Sequence, residues 1–160
     1  MIFRIGHGFD MHRLVPDREL WLGGVLIPYE KGLAGHSDAD VLIHAICDAL
    51  LGAMAVGDIG KHFPDSDEAY RNIDSKELLE KVSGMLQSSG WMLANLDATL
   101  ILEAPRVSDY IHDMQKSIAG ILGTQTGQVS VKATTTEGLG PEGRGEGISA
   151  HVVALIYNKE

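Results

Sequence analysis

Hydrophobic positions along the chain recur with two periods, one of two residues and one of about 3.6, which are typical of strands and helices respectively. Strands are predicted over residues 2–9, 20–27, 91–102, 128–133 and 148–157, and helices over residues 41–56, 74–90 and 108–123 with their caps. The two kinds of element are interleaved, with no repeat and no interdomain linker. This pattern predicts one α+β domain over residues 1–160, an α/β sandwich whose mixed sheet is covered on one side by about three helices.

The helix predicted over residues 41–56 is apolar on almost every side, which indicates that it is buried. Its polar exceptions, Asp40, His44 and Asp48, are spaced by four residues and therefore share one face. Because an unpaired buried charge is costly, this face needs polar partners elsewhere in the chain. We expect those partners to be Asp10 and His12.

Asp10 and His12 lie two residues apart after the first predicted strand, so an extended backbone directs both side chains to one face, roughly 6.5–7 Å apart. A surface aspartate beside a partly buried histidine is the ordinary alternative for such a pair. His44 on an otherwise apolar helix favours metal binding, because three protein donors with an open position are usual in catalytic divalent-metal sites. Two imidazoles and a carboxylate suit Zn²⁺, although manganese or iron would also be accepted. Asp48 is expected to hold the His44 ring as an outer carboxylate.

A second polar segment consists of three threonines and Glu137 at residues 134–137, followed by glycines 138, 140, 143, 145 and 147. Hydroxyls and exposed backbone N–H groups are the donors that phosphate oxygens need, and Arg144 adds a forked cation. Glu137 could bind a hard cation such as Mg²⁺ together with substrate phosphates. A flexible hairpin loop is the alternative, but a neighbouring metal site favours phosphate binding. His36 and Ser37 are either a helix cap or, for His36, a donor to an anionic transition state.

Composition is that of an ordinary globular chain, with 44% hydrophobic and 22% charged residues. A net charge of −9 without a basic run argues against a nucleic-acid partner. The same charge would repel an anionic substrate unless metal ions reverse the local field. There is no signal-peptide pattern and no window long and apolar enough for a membrane span, and a single cysteine, Cys47, fits a reducing compartment. We therefore expect a cytoplasmic protein without a membrane partner.

Six sequence runs, at residues 4–12, 36–41, 57–61, 63–65, 131–137 and 143–147, resemble the 2-C-methyl-D-erythritol 2,4-cyclodiphosphate synthase family in content and in order. The resemblance covers nearly the whole chain. It implies a homotrimer with active sites between neighbouring subunits, and a phosphorus–oxygen lyase of the non-mevalonate isoprenoid route. The implied reaction converts 4-diphosphocytidyl-2-C-methyl-D-erythritol 2-phosphate into 2-C-methyl-D-erythritol 2,4-cyclodiphosphate and releases CMP.

Carried onto this sequence, the resemblance implies that Asp10, His12 and His44 bind Zn²⁺ or another divalent transition metal, and that Glu137 binds Mg²⁺ or Mn²⁺ with the substrate diphosphate. His36 and Thr135 match the residues credited with stabilising the transition state. Arg106 and Val107 stand where relatives often have Lys-Met, and Pro141 stands where an aromatic residue is frequent. The positions that match the family's substrate-binding residues are Asp10, His12, His36, Ser37, Asp58, Ile59, Gly60, Phe63, Pro64, Asp65, Ser66, Asp67, Leu102, Glu103, Ala104, Pro105, Arg106, Val107, Ser108, Thr134, Thr135, Thr136, Glu137, Pro141 and Arg144.

In that reaction the attacking group is the substrate's own 2-phosphate, which is largely ionised near neutral pH since its second pKa is about 6. No protein base is then needed. The enzyme must fold the substrate so that this phosphate lies in line with the β-phosphorus, and must neutralise charge, which two cations can do. Two alternatives remain open: a zinc-dependent phosphohydrolase in which water attacks, and a non-catalytic metal- or nucleotide-binding module.

Overall fold

The structure is a computed structural model and describes residues 1–158. Its strands are β1 (Ile2–Pro16), β2 (Leu20–Leu22), β3 (Val25–Ile27), β4 (Lys31–Leu33), β5 (Met92–Ile101), β6 (Val129–Thr134) and β7 (Gly147–Asn158). Its α-helices are α1 (Val41–Met54), α2 (Ile59–His62), α3 (Ser75–Ser88), α4 (Ile111–Leu122) and α5 (Gly140–Gly143). Short 3₁₀ helices lie at Glu68–Tyr70, Ser108–Tyr110 and Thr126–Gln128.

Five strands form one sheet in the order β4–β1–β7–β5–β6, and β2 pairs with β3 separately. The β5–β6 pair is parallel and the other neighbouring pairs are antiparallel, so the sheet is mixed. The three long helices, α1, α3 and α4, have 14, 14 and 12 residues. The predicted α+β domain with a mixed sheet and about three helices is confirmed. Within residues 1–158, no helix combines the length and the apolar character that crossing a bilayer requires.

Three predicted boundaries are wrong. The first strand continues to Pro16 instead of ending at residue 9, because residues 10–13 pair with β7 and residues 14–16 pair with β4. Residues 20–27 form a hairpin rather than one strand, since Gly23 and Gly24 both adopt positive φ and make its turn. The helix expected after Ser108 begins at Ile111, because a 3₁₀ turn precedes it. The remaining strands and helices predicted from periodicity agree with the structure within two residues.

One face of the sheet carries the core. The alternate residues of β7 from Ile148 to Ile156 are fully buried, and α1 packs across β1 and β7. The even-numbered residues of β1 project to this same side, where Gly6 and Gly8 lie against the backbone of α1. Asp10 and His12 continue that row, so the strand directs both metal-site candidates towards the helix that carries His44.

The contact between β1 and α1 is unusually close at two glycines. A Cβ atom added to Gly8 would lie 1.8 Å from the carbonyl oxygen of Ala45, and one added to Gly6 would lie 1.9 Å from that of Ala49. No side chain fits there without moving the helix. Glycine on the strand and alanine on the helix therefore fix the short distance at which α1 presents His44 to the strand.

Gly8→Ala is expected to lower the free energy of unfolding by about 3 kcal/mol, at the upper end of overpacking costs, because the clash is with backbone rather than with a flexible side chain. Urea denaturation measures the change. Gly84→Ala, in the middle of α3 where an added Cβ meets nothing within 4 Å, is the matched control and should stabilise the chain by up to about 1 kcal/mol. Equal stability of the two variants would contradict the close approach.

Candidate metal centre and active-site cavity

Asp10, His12 and His44 converge on one point. The Oδ2 atom of Asp10 lies 2.9 Å from Nε2 of His12 and 3.1 Å from Nδ1 of His44, and the two ring nitrogens are 3.1 Å apart. In tetrahedral coordination with metal–nitrogen distances near 2.0–2.1 Å, two donors are about 3.3 Å apart. This is the one group of three or more histidine, cysteine or carboxylate donors within residues 1–158 that is compact enough to hold a metal ion.

Each donor is held by a second contact that leaves its metal-facing atom free. Nδ1 of His12 donates to the carbonyl oxygen of Ala34 at 2.8 Å, so its Nε2 carries the lone pair that faces the site. Oδ1 of Asp10 accepts from the N–H of Met11 at 2.9 Å, which leaves Oδ2 for the ion. Such outer contacts set the tautomer and orientation of metal-binding histidines.

His44 is oriented by a serine and an aspartate that the sequence did not single out. Its Nε2 lies 2.9 Å from Oγ of Ser75, and Ser75 in turn donates to Oδ1 of Asp38 at 2.5 Å. Oγ of Ser37 is also within 3.1 Å of Nε2. Since Asp38 only accepts and Ser75 donates to it, Nε2 of His44 must donate to the Ser75 oxygen. Nδ1 is therefore the unprotonated nitrogen, the one that faces Asp10.

Asp48 has a different hydrogen-bond partner from the one predicted. Oδ1 of Asp48 accepts from the N–H of Ile59 at 2.7 Å and thereby anchors the start of α2. No hydrogen bond joins Asp48 to His44 in the described part of the chain. Asp40 does not face the metal centre either, because it accepts from the backbone of Gly23, Gly24 and Ile43. Of the three polar residues predicted to share one face of this helix, only His44 reaches the site.

Ser75→Ala is expected to weaken metal affinity roughly 10–100-fold, the usual effect of removing an outer partner. Asp48→Asn should leave the affinity close to that of the unchanged chain, because its partner is a backbone N–H. Competition with a chromophoric zinc chelator measures both variants. A larger loss for Asp48→Asn than for Ser75→Ala would restore the sequence-based assignment.

The electrostatics of the centre follow from burial and mutual contact. Burial opposes ionisation of Asp10, but the His12 and His44 rings outweigh it, because without a bound ion they can take up a proton and donate to the carboxylate. They hold the pKa of Asp10 well below its usual range. Burial also opposes charge on His12, yet the Asp10 contact and the Ala34 carbonyl raise the pKa of His12 overall. Metal ions must displace protons from such a cluster, so metal binding weakens as the pH falls.

The centre opens into a cavity of about 230 Å³, which we call the metal cavity. The predicted residues that line it are Asp10, His12, His36, Ser37, His44, Ile59, Gly60, Phe63 and Asp65. Residues that the sequence did not single out also line it, namely Gly35, Tyr70, Ile73 and Leu78. Nε2 of His36 is buried without a hydrogen-bond partner among the described residues. An unsatisfied buried donor or acceptor beside a cavity indicates a place where a ligand completes the hydrogen bonding.

Four predicted residues near this cavity do not line it: Asp58, Pro64, Ser66 and Asp67. Asp58 caps α2 by accepting from Lys61 N–H, and Asp67 caps the following 3₁₀ helix by accepting from Ala69 N–H. Their local role is to shape the segment that presents Ile59, Gly60 and Phe63.

A second cavity of about 500 Å³, the strand-end cavity, contains the other half of the predicted site. It is lined by Leu102, Glu103, Pro105, Arg106, Val107, Ser108, Ile111, Ala133, Thr134 and Thr135. Thr136, Glu137, Pro141 and Arg144 follow it in the chain and line neither cavity. Glu137 is exposed with φ 55, and Arg144 pairs with Glu146 at 2.7 Å.

The register of the sheet separates the two cavities. His12 on β1 pairs with Ile148, the next residue of β7 pairs with Ile101, and Ile101 pairs with Thr134 on β6. Three interstrand steps of about 4.8 Å therefore place Thr134 roughly 14 Å from His12. Thr135 follows Thr134 at the end of β6 and lines the strand-end cavity, not the metal cavity.

The α+β domain carries a donor cluster of the kind that metal-dependent enzymes use, and comparison with known proteins identifies its family. The YgbB family model matches residues 3–157. The curated 2-C-methyl-D-erythritol 2,4-cyclodiphosphate synthase of Trichlorobacter lovleyi is 58% identical over 153 residues, covering 96% of this chain and 98% of its own. That of Nitrosospira multiformis is 60% identical over 154 residues, covering 96% and 87%.

Solved structures agree with these sequences. The bifunctional IspDF of Campylobacter jejuni aligns with a TM-score of 0.95 at 38% identity, over 99% of this chain and 43% of that one. A 2C-methyl-D-erythritol-2,4-cyclodiphosphate synthase in a CDP-bound form aligns with a TM-score of 0.89 at 33% identity, over 96% and 100%. The chain belongs to the 2-C-methyl-D-erythritol 2,4-cyclodiphosphate synthase family, and its activity is that of a phosphorus–oxygen lyase of the non-mevalonate isoprenoid pathway.

Proposed function

We propose that this chain converts 4-diphosphocytidyl-2-C-methyl-D-erythritol 2-phosphate into the cyclic diphosphate and CMP at a site that combines the metal cavity of one copy with the strand-end cavity of another. The observation that carries this proposal is the convergence of Asp10, His12 and His44 at the base of a cavity in which His36 has an unpartnered ring nitrogen. These groups are suited to a diphosphate, which is anionic and offers many acceptor oxygens.

The donor set fits Zn²⁺ best, because two imidazole nitrogens and one carboxylate oxygen lie close to tetrahedral spacing with a side open to the cavity. When bound, the ion supplies positive charge that polarises a phosphate oxygen and offsets the charge of the acidic chain. Asp10 and the two histidines hold it, while Ala34, Ser75 and Asp38 hold the histidine rings.

The reaction forms a bond between a 2-phosphate oxygen and the β-phosphorus, and breaks the bond from that phosphorus to the oxygen that leaves with CMP. No proton has to be removed from the nucleophile, since a phosphate monoester is largely ionised near pH 7. The chain's own contribution is positioning and charge stabilisation. His36 would donate to a phosphate oxygen in the metal cavity, and the Thr135 hydroxyl would donate to the same diphosphate from the neighbouring copy.

Glu137 is the proposed ligand of a second cation, Mg²⁺ or Mn²⁺, that travels with the substrate diphosphate. Glu137 is exposed and lies just after the end of β6, where Thr135 Oγ1 accepts from the Glu137 N–H at 3.3 Å. Glu137→Gln is expected to raise the Mg²⁺ concentration for half-maximal activity by about tenfold, because one of the one or two carboxylates typical of such ions is lost. A magnesium titration at saturating substrate measures it. Glu142→Gln, on α5 nearby, is the control, and an unaltered requirement in Glu137→Gln would contradict the ligand role.

The strand-end cavity is the proposed seat of the cytidine. It is formed by the segment from Leu102 to Ser108 and by Ile111, and it is large enough for a pyrimidine nucleoside at about 500 Å³. Relatives described as CDP complexes support this assignment of substrate class. Arg106 lines the same cavity and would place a positive charge beside the substrate phosphates.

A homotrimer is the assembly we propose, because the site is incomplete in one chain. Thr134 lies roughly 14 Å from His12 across the sheet, so a diphosphate can contact both halves only when two copies meet. The sheet face opposite the helices offers the contact surface: Phe3, Ile5 and Phe9 on β1 are 55%, 71% and 49% exposed, and Val153 on β7 is 40% exposed. Contiguous exposed apolar surface of this kind marks an interface, and a second and third copy of this chain are its proposed occupants.

Phosphorus NMR of the product mixture tests the function. Incubation with the diphosphocytidyl substrate and Mg²⁺ should give the signals of a cyclic diphosphate together with CMP. A linear diphosphate or free phosphate would instead indicate the phosphohydrolase alternative. Tight binding of zinc and CDP without release of CMP would indicate a binding module.

A further inference from the structure

A second pair of histidines lies on the opposite face of the sheet from the metal centre. Nε2 of His7 on β1 and Nδ1 of His151 on β7 are 3.2 Å apart, and both side chains are exposed. His7 pairs with Val153 and His151 pairs with Phe9 in the register of these strands. The two histidines are therefore diagonal neighbours on adjacent antiparallel strands, a spacing within reach of long side chains.

We propose that His7 and His151 chelate a divalent transition-metal ion at a second site, separate from the Asp10, His12 and His44 centre. The nitrogen spacing of 3.2 Å nearly equals the 3.1 Å between the ring nitrogens of His12 and His44. Both are close to the separation of about 3.3 Å between two nitrogens bound to one tetrahedral Zn²⁺. The pair thus offers two ligands already in place on a rigid part of the fold.

The rigidity of the pair comes from the sheet and from Phe9. β1 and β7 are paired continuously from Ile2 to Arg13, so neither histidine backbone can move independently. The ring of Phe9 packs against that of His151 with centroids 4.8 Å apart, and the two imidazole centroids are 5.5 Å apart. Ligands that are held in position before binding lose less conformational freedom when the metal arrives.

The two sites cannot share an ion. Asp10 and His12 are even-numbered residues of β1 and face α1, whereas His7 is odd-numbered and faces away from it, because successive side chains of a strand alternate. The chemistry of the second site also differs. Two imidazoles without a carboxylate select borderline ions such as Zn²⁺, Ni²⁺ or Cu²⁺ over Mg²⁺ or Ca²⁺. The remaining coordination positions would be filled by water or by the same histidines of a neighbouring copy.

Metal analysis in a chain that lacks the first centre tests the proposal. Protein carrying Asp10→Asn and His44→Ala, prepared without a polyhistidine tag, is dialysed against micromolar Zn²⁺ and its zinc content measured. It should retain between about one ion per three chains and one per chain, depending on whether copies share ligands. Adding His151→Gln should weaken this binding about tenfold or more. Adding His112→Gln, an exposed histidine on α4, should not change it.

Cu²⁺ gives a second readout that needs no inactive background. Electron paramagnetic resonance of the otherwise unchanged chain with added Cu²⁺ should contain a component with nitrogen coupling that disappears in both His7→Gln and His151→Gln. Equal zinc content with and without His151→Gln, or a copper spectrum that neither substitution alters, would reduce the pair to an ordinary hydrogen bond. Zinc content unaffected by Asp10→Asn and His44→Ala would contradict the first centre and leave this proposal standing.

Discussion

His44→Ala is expected to abolish metal binding and turnover together. Alanine removes one of three donors and leaves Asp10 and His12, which cannot alone complete the arrangement of three protein ligands that catalytic metal sites use. Loss of an outer partner already costs roughly 10–100-fold in affinity or activity, so loss of a direct ligand should exceed about 100-fold. Zinc content by elemental analysis and the rate of CMP release measure the two quantities on the same sample.

The control for this experiment is His112→Ala, which removes an exposed imidazole on α4 and should change neither quantity. Thermal unfolding establishes that the His44 variant is folded, since α1 is buried and carries the ring. Unchanged zinc content in His44→Ala would remove this residue from the ligand set. Full turnover without zinc would contradict the metal-dependent mechanism itself.

Mixing two inactive variants is expected to restore activity if each site is built from two copies. One variant carries His44→Ala and lacks a working metal half, and the other carries Thr135→Ala and lacks a working strand-end half. Removal of one transition-state donor typically costs about 10²–10³-fold, so each is nearly inactive alone. In randomly assembled trimers with cyclic symmetry, about one quarter of the sites unite an intact half from each parent. Recovery to about a quarter of the unmutated rate is therefore expected after unfolding and refolding the mixture.

The matched control is a mixture of His44→Ala with His12→Ala. Both lesions lie in the metal half, so every mixed site contains one of them and no activity should return. Native mass spectrometry of the mixtures establishes that chains have exchanged. Exchange without recovery in the His44 and Thr135 mixture would place both halves of the site in one chain, against the separation derived from the register of the sheet.

Periodicity alone accounted well for the elements and for the metal donors. The two-residue period of β1 directs Asp10 and His12 to one face, and their donor atoms lie 2.9 Å apart in the structure. The apolar helix with a histidine in it indicated a polar partner for His44. Both inferences depend on the fixed periods of strands and helices, and the pattern of neighbouring residues is enough to recognise these periods.

The same reasoning failed for Asp48 because a shared helix face does not specify a shared partner. The 3.6-residue period places Asp48 one turn from His44. The segment after α1, however, brings Ile59 next to Asp48, and the N–H of Ile59 donates to the Asp48 carboxylate. The serine that holds His44 is the first residue of α3, directly after the N-cap residue Asp74. Ser75 is fully buried, and a buried hydroxyl must find a partner, but that burial is decided by tertiary packing and not by a local sequence pattern.

The sequence by itself determined that Asp10 and His12 share one face of an extended segment, and that His44 lies on a buried helix. Only the tertiary structure decided that Ser75 and Asp38 set the tautomer of His44, and that Thr135 lies three strands away from the metal centre. Local spacing follows from the fixed geometry of helices and strands. Contacts between distant segments follow from the order of strands in the sheet, which no local pattern encodes.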